Sequence, residues 1–365
     1  MKRLVFALAT AACVAGITSS SILAQVEPLP LWAWARSTQP QPGDKAAPQA
    51  PPTRNLRPNE DPKEQTMLRT VEGSSAKYSL VDIRDGHNVI DWFPQDHPVM
   101  TPIIKNGPAS MGEVARGCGS CHLPNGKGRP ENAPVSAQPV NYFIQQLRDF
   151  AAGRRVSSDP RKPNTPTMGI LARAMTEEEM RQAAEYFAAI PWTPWIKVVE
   201  AELIPEMELE EGNMYITHGK EPTEKLAGRI VETPVDAWQA NGLRNPHSGW
   251  IAYVPTGSIA RGKRLVDTGE VMVGGKPVRK TTACATCHGP DMQGMGDFPA
   301  IGSRSPSYMM RQLYDFKTGR RNGTYAAIMK PVVDGLTNDE MRDIVAYLAS
   351  IPAPQATPRQ TASAR

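Results

Sequence analysis

Apolar residues recur at helical spacing in two segments that share the same polar start signal. Thr176 lies three residues before Glu179, and Thr337 lies three residues before Glu340. Both pairs have the pattern of a capping box, in which each side chain bonds to the other residue's backbone N–H. The pattern predicts one capped helix at the end of each of two related units. The apolar stripes that follow the caps are Met180, Ala184 and Phe187 in the first segment and Met341, Val345 and Leu348 in the second.

The two helices close an internal repeat. Under a shift of 166 residues, positions 118–155 align with 284–321 without a gap and share 13 identities in 38 positions. Beyond that block the shift is 161, so the first copy has five extra residues around 156–167. We interpret the copies as two helical domains, at 107–191 and 258–352. A domain of fewer than about 100 residues has a marginal core on its own.

The N-terminus has the pattern of an export signal. Lys2 and Arg3 precede an apolar stretch, and small residues then lead to Ala24. The segment 1–24 therefore predicts a signal peptide and a periplasmic protein, with Cys13 removed on cleavage. Left uncleaved, the same segment would be just long enough to anchor the chain in a membrane.

Three further segments lie outside the repeat. Proline and polar residues dominate 25–66, which predicts a disordered linker in which Trp32 and Trp34 make a local contact or, alternatively, a docking anchor. We expect 67–106 to pack on the first domain as an extension, and 353–365 to form a disordered tail.

The segment between the copies, 192–257, has 10 acidic and 5 basic residues. Branched and aromatic residues at 228–234 and 249–255 predict short strands in this connector. Its glutamates are expected on a solvated face, with docking of a basic partner as the alternative. The predicted fold is mainly α, with two tandem domains joined by a partly extended connector.

Composition narrows the class of function. Hydrophobic residues make up 40% of the chain, which excludes a wholly disordered protein. A formal net charge of +4 is too weak to indicate nucleic-acid binding. Aromatic residues reach only 6%, which leaves room for a cofactor in the cores.

Each repeat unit contains the pattern Cys-x-x-Cys-His, which is the attachment signature of c-type haem. Two thiols at this spacing can each form a thioether to one haem vinyl group, and the adjacent imidazole can bind the iron. A zinc ribbon requires cysteine pairs about 15–20 residues apart, far closer than these two pairs. The sequence therefore predicts two covalently attached haem c groups. The expected attachment residues are Cys118, Cys121, Cys284 and Cys287, with His122 and His288 as iron ligands.

Two methionines are the expected sixth ligands. Met168 lies 46 residues after His122, and Met329 lies 41 residues after His288, a difference equal to the five-residue insertion. Met168 also follows a segment, 164–167, that is expected to be an irregular loop, and a thioether ligand raises the haem potential. Competing ligands are Met175 in the first unit and Met292 or Met295 in the second. A bis-histidine haem would need one of the remaining histidines, which are His87, His97, His218 and His247.

These motifs resemble those of class I c-type cytochromes. The attachment motif is followed by Tyr-x-x-x-Gln-Leu-x-x-Phe-x-x-Gly-x-Arg, a methionine and a capped helix, and the doubling is similar to two-haem cytochromes of the c4 kind. The resemblance implies that Tyr142, Arg155, Tyr308 and Arg321 lie near haem propionates. The family's glycine after the haem histidine is Leu123 in the first unit, and its proline is displaced there to Pro134. The two haems are therefore expected to differ in potential.

The expected function is electron transfer without an enzymatic reaction of its own. Partners would be redox proteins, such as a dehydrogenase, a quinol–cytochrome c reductase or a terminal oxidase, with no nucleic acid or small-molecule substrate. The first alternative is a cytochrome subunit of a periplasmic dehydrogenase complex. The second is a dihaem enzyme with one open haem site.

Overall fold

The computed structural model describes residues 27–47, 49–210 and 214–353. The predicted signal peptide and most of the predicted C-terminal tail lie outside these residues. Within them, no helix is long and apolar enough to cross a bilayer.

The first repeat unit is helical, as the apolar pattern predicts. Thr176 caps its last helix: its hydroxyl accepts from the Glu179 N–H at 3.2 Å, and the Glu179 carboxylate accepts from the Thr176 N–H at 2.7 Å. The extension and the unit contain α2 Leu80–Arg84, α3 Pro102–Lys105, α4 Gly119–His122, α5 Val140–Ala151, α6 Asn164–Ala174 and α7 Glu177–Ala189. A shorter helix, α1 Pro62–Thr66, precedes them at the end of the segment predicted as a disordered linker, where Pro62 occupies the first turn that proline tolerates.

The second unit repeats this design and adds a hairpin. Helix α12 packs against both α8 and α10. The close approach of α8 to α12 needs Gly262, because a Cβ there would collide with the backbone carbonyl of Asp343. The elements are α8 Ser258–Thr268, β6 Glu270–Val273, β7 Lys276–Arg279, α9 Ala285–His288, α10 Pro306–Lys317, α11 Ala326–Asp334 and α12 Asn338–Ser350.

The connector carries the remaining strands. One sheet has the order β1-β5-β4, with β1 parallel and β4 antiparallel to the central strand, and β2 and β3 form a separate antiparallel hairpin. Two of these strands fall inside the segments that the sequence predicts as extended. The strands are β1 Ile196–Glu200, β2 Leu203–Glu210, β3 Met214–Lys225, β4 Val231–Pro234 and β5 Trp250–Val254.

The extension lies on the first unit and also reaches the connector. Ile103 and Ile104 are buried against Tyr186 and Phe187 of the first unit's core. On its other side, the Trp92 indole donates to the Leu243 carbonyl at 2.9 Å.

The N-terminal strap (residues 27–47) differs from the disordered linker that its proline content predicts. It begins with a short 3₁₀ helix, Leu31–Trp34, that packs on the second unit. Trp34 is only 3% exposed; its ring meets Tyr314 edge-on at 5.7 Å and its indole donates to the Ser157 hydroxyl at 3.0 Å. Burial of this apolar cluster offsets the entropy lost on ordering the segment, which proline had already reduced.

Candidate functional site

Each unit contains a cavity that begins at its cysteine pair. The first cavity, of about 150 Å³, is lined by Cys118, Cys121 and His122. The second cavity, of about 300 Å³, is lined by the equivalent residues of its own unit, Cys284, Cys287 and His288. Both walls are largely apolar, with side chains such as Phe143, Leu147 and Phe187 in the first and Ile301, Leu313 and Leu348 in the second.

Both motif histidines are held in the same orientation. The Nδ1 of His122 lies 2.8 Å from the Ala133 carbonyl, and the Nδ1 of His288 lies 2.8 Å from the Pro299 carbonyl. A carbonyl can only accept, so Nδ1 carries the proton and Nε2 keeps its lone pair for a metal. Burial lowers the pKa of both histidines, which favours the neutral imidazole that a metal requires.

The four motif cysteines are free thiols. Burial raises the pKa of Cys118 to about 12 and that of Cys284 to about 11. Two thiols on the cavity wall beside a neutral imidazole form the donor arrangement that covalent haem attachment uses.

The predicted methionine ligands reach the cavities, although from helices. Met168 lines the first cavity from α6, and Met329 lines the second from α11. The prediction of an irregular loop at 164–167 is wrong, because α6 begins at Asn164. Helix α6 accommodates Pro166 because proline is tolerated in the first turn, where the backbone N–H needs no helical partner.

The competing methionines differ in whether they line a cavity. Met175 also lines the first cavity, so two thioethers face that site. Met292 is buried in the second unit's core, and neither Met292 nor Met295 is among the residues that line the second cavity. The sequence did not single out Met309, which does line it.

The four remaining histidines contact other groups and line neither cavity. His97 and His247 lie beside carboxylates, at 3.2 Å from Asp91 and 2.5 Å from Asp96. His218 is 2.9 Å from a glutamate of the β2–β3 hairpin, and the ring of His87 faces the Ala115 carbonyl at 3.3 Å.

The two cavities share one wall. Five residues line both of them, and three of these are glutamines that sequence analysis did not select, although two belong to repeat identities. The shared residues are Gln138, Tyr142, Gln146, Tyr308 and Gln312.

The predicted tyrosines and arginines meet in this wall as a crossed network. Arg155 of the first unit donates to the Tyr308 hydroxyl at 3.2 Å and to Gln312 at 2.8 Å. Arg321 of the second unit donates to the Tyr142 hydroxyl at 2.8 Å and also binds Gln146. Each arginine therefore bonds the tyrosine of the opposite unit.

The arginines of this network are not paired with a described carboxylate, although the charge of Asp315 acts on both of them. The hydrogen bonds of Arg155 and Arg321 run to hydroxyl and amide oxygens, and neither guanidinium forms an ion pair with a described carboxylate. Burial alone would raise the pKa of Tyr142, but the charges of Arg321 and Arg155 outweigh it and lower that pKa. Buried cations without a directly paired carboxylate are unfavourable, so an anionic group in the cavities would be stabilised.

These features fit haem. Its two propionates would supply the missing negative charge, its ring would match the apolar walls, and its vinyl groups and iron would meet the thiols and the free imidazole nitrogen. The sites therefore fit the cofactor on donor set, polarity and charge.

Comparison with known proteins agrees with this fit. Residues 259–352 match the family model described as Cytochrome c. The thiosulfate dehydrogenase electron acceptor of Thiomonas intermedia is 30% identical over 169 residues, which cover 44% of this chain and 73% of that protein. The cytochrome c4 of Azotobacter vinelandii is 24% identical over 251 residues, which cover 67% of this chain and 90% of that protein.

A solved structure of thiosulfate dehydrogenase from Marichromatium purpuratum aligns with 24% identity and a TM-score of 0.41. The alignment covers 67% of this chain but only 38% of that longer chain. Family membership rests on the sequence matches. The chain belongs to the class I c-type cytochromes, as a two-haem member that resembles cytochrome c4 and carries covalently bound haem c.

Proposed function

We propose that this dihaem electron-transfer cytochrome carries electrons in the periplasm from a dehydrogenase or respiratory donor to a terminal acceptor. When bound, haem supplies a one-electron iron couple. The chain supplies two pockets that fix its ligands, exclude water and join at a common wall.

The motif residues take matched roles in this proposal. In the first pocket Cys118 and Cys121 attach the haem, and His122 and Met168 bind its iron. Cys284, Cys287, His288 and Met329 do the same in the second. The hydrogen bond from each histidine Nδ1 to a backbone carbonyl orients the ring and makes Nε2 a better donor.

The shared wall is the observation that carries the proposal. Because the two pockets have five lining residues in common, cofactors held in them would be neighbours, and a single chain could receive an electron on one side and release it on the other. Arg155, Arg321, Tyr142 and Tyr308 bind propionates at this wall, so one network holds both cofactors.

The donor is proposed from the name of a relative. The Thiomonas protein is a thiosulfate dehydrogenase electron acceptor, which supports a dehydrogenase as the source of electrons here. The alternative is a permanent subunit of such a dehydrogenase. The exposed β2–β3 hairpin offers surface for it, with Leu203 47% exposed and Leu209 40% exposed.

The test is electron delivery to the purified full-length protein. Thiosulfate and a purified thiosulfate dehydrogenase should reduce both haems, and a small oxidant should return the starting spectrum. Omission of thiosulfate or of the dehydrogenase gives the baseline. If this dehydrogenase does not reduce the haems but ascorbate or dithionite reduces them reversibly, the proposed donor is wrong and the electron-carrier function stands. Haems that cannot be cycled reversibly would reject the carrier itself.

Gel filtration distinguishes a free carrier from a permanent subunit of the dehydrogenase. A free carrier migrates as one chain apart from the dehydrogenase, whereas a subunit elutes with it as a stable complex at micromolar concentration.

A further inference from the structure

Charged side chains are distributed unequally between the two cavities. The first is lined by four cations and two carboxylates, namely Arg116, Arg155, Lys162, Arg311, Glu131 and Asp315. The second is lined by two cations and two carboxylates, namely Arg304, Arg321, Asp149 and Asp297.

Four of these charged residues occupy equivalent positions in the two repeat copies and contribute equally to both cavities. Arg155 and Arg321 are equivalent positions, and each lines the cavity of its own unit. Asp149 and Asp315 are also equivalent, but each lines the cavity of the opposite unit. These four residues give both cavities the same charge, so the difference arises from residues outside the matched pairs.

Among the cations without an equivalent in the second cavity, Lys162 is the one that the insertion in the first copy explains. It lies in the segment around 156–167, where the first copy has five extra residues, and no lysine is among the described residues lining the second cavity. The side chain is buried, and its ammonium donates to the Glu131 carbonyl at 2.9 Å. It forms no ion pair with a described carboxylate.

We propose that Lys162 places a positive charge at the first haem pocket and makes the haem held there the more readily reduced of the two. Reduction adds one electron to a haem, so a nearby fixed cation favours the reduced form and raises its potential. This inference rests on the proposed electron-transfer function, and it supplies the order of potentials that the sequence leaves open.

The surroundings of Lys162 bear on its charge. Burial lowers the pKa of Lys162 well below its usual value, and the charges of Arg311 and Arg36 act in the same direction. The carboxylates of Glu131 and Asp315 oppose them. Haem propionates in the same cavity would add to the carboxylates and favour the ammonium form.

The test uses the haem-loaded full chain and three variants. Lys162→Gln removes the charge but keeps a donor for the Glu131 carbonyl, and Lys162→Arg keeps the charge. Lys127→Gln is the matched control, because Lys127 is a half-buried lysine of the same unit that does not line the cavity. Spectroelectrochemical titration follows both midpoint potentials, and the haem-to-chain ratio is measured for each variant.

Lys162→Gln should lower the higher of the two midpoints by about tenfold in the reduction equilibrium, or about 59 mV for one electron. The lower midpoint should stay in place, and Lys162→Arg and Lys127→Gln should match the parent protein.

A shift of the lower midpoint would overturn the proposed order of potentials. An unchanged pair of midpoints, or an equal shift in Lys162→Arg, would overturn the role of the charge. In each of these outcomes two reversible haem couples remain, so the proposed function stands. Loss of reversible cycling in the parent protein would instead reject the proposed function.

Discussion

The first and second units reach the same histidine geometry from different sequences. The family proline is present at Pro299 and displaced in the first unit, yet the carbonyl at the equivalent position, Ala133, accepts from His122 at the same 2.8 Å. Leu123 replaces the family glycine and adopts φ 60°, close to φ 79° at Gly289. The backbone path therefore sets the orientation of the histidine ligand and tolerates these side-chain changes.

The units differ more in what surrounds them. The first is covered by the extension, and its cavity has about half the volume of the second. The second is covered by the N-terminal strap and carries the β6–β7 hairpin, whose Val273 is 58% exposed. Two sites built from one motif are therefore placed in unlike environments, and four changes can separate them.

The largest effect is expected from removing one attachment motif. The double change Cys118→Ala and Cys121→Ala should leave one haem per chain, because thioether attachment at the first pocket is lost. The double change Cys284→Ala and Cys287→Ala should also leave one haem, so each variant gives the spectrum of the other unit. Haem content by pyridine haemochrome checks this. Two haems in either variant would contradict the assigned attachment sites.

The next largest effect is expected from replacing the proposed methionine ligands with alanine. Met168→Ala should remove the methionine-to-iron charge-transfer band of the first haem and lower its potential, since thioether ligation raises it. Met175→Ala is the matched control, because Met175 lines the same cavity. Near-infrared spectra of the oxidised proteins show which methionine binds the iron. Loss of the band in Met175→Ala alone would identify Met175, rather than Met168, as the ligand. Met329→Ala provides the same test in the second unit.

The strap should contribute to the stability of the second unit. Trp34→Ala is expected to lower its free energy of unfolding by about 3–5 kcal/mol, because a large buried side chain is lost from the core. Trp238→Ala, at a tryptophan that is 47% exposed, should change it by less than about 1 kcal/mol. Denaturant unfolding of the haem-loaded protein measures both. Equal effects would show that the strap contributes little.

The smallest effect should follow from adding a side chain at Gly289, the position that Leu123 occupies in the first unit. Gly289→Ala places a Cβ 3.2 Å from the Gly294 carbonyl at a positive φ and should cost about 1–3 kcal/mol. Gly249→Ala, where φ is ordinary and the nearest neighbour is 3.5 Å away, should be almost neutral. A neutral Gly289→Ala would mean that this backbone position tolerates a side chain in both units.

Much of the site follows from the sequence because its determinants are local. The Cys-x-x-Cys-His spacing places Cys121 and His122 on one short helix with Cys118 as its N-cap residue, and the cap at Thr176 fixes where α7 begins. The register of the repeat also selected Met168 and Met329, and each of them lines the cavity of its own unit.

The remaining features depend on tertiary packing. The crossing of Arg155 to Tyr308 arises from how the two units meet, which no repeat pattern encodes. Order in the strap could not be predicted from its prolines, since it comes from burial of Leu29 and Trp34 against the second unit.

A redox titration of the purified full-length protein, combined with its haem count, tests most directly whether each unit holds one haem with histidine and methionine ligands. We expect two haems per chain, two reversible one-electron steps with different midpoints, and a low-spin spectrum with methionine-to-iron bands. One haem per chain, or a high-spin or bis-histidine signature at either site, would contradict this expectation.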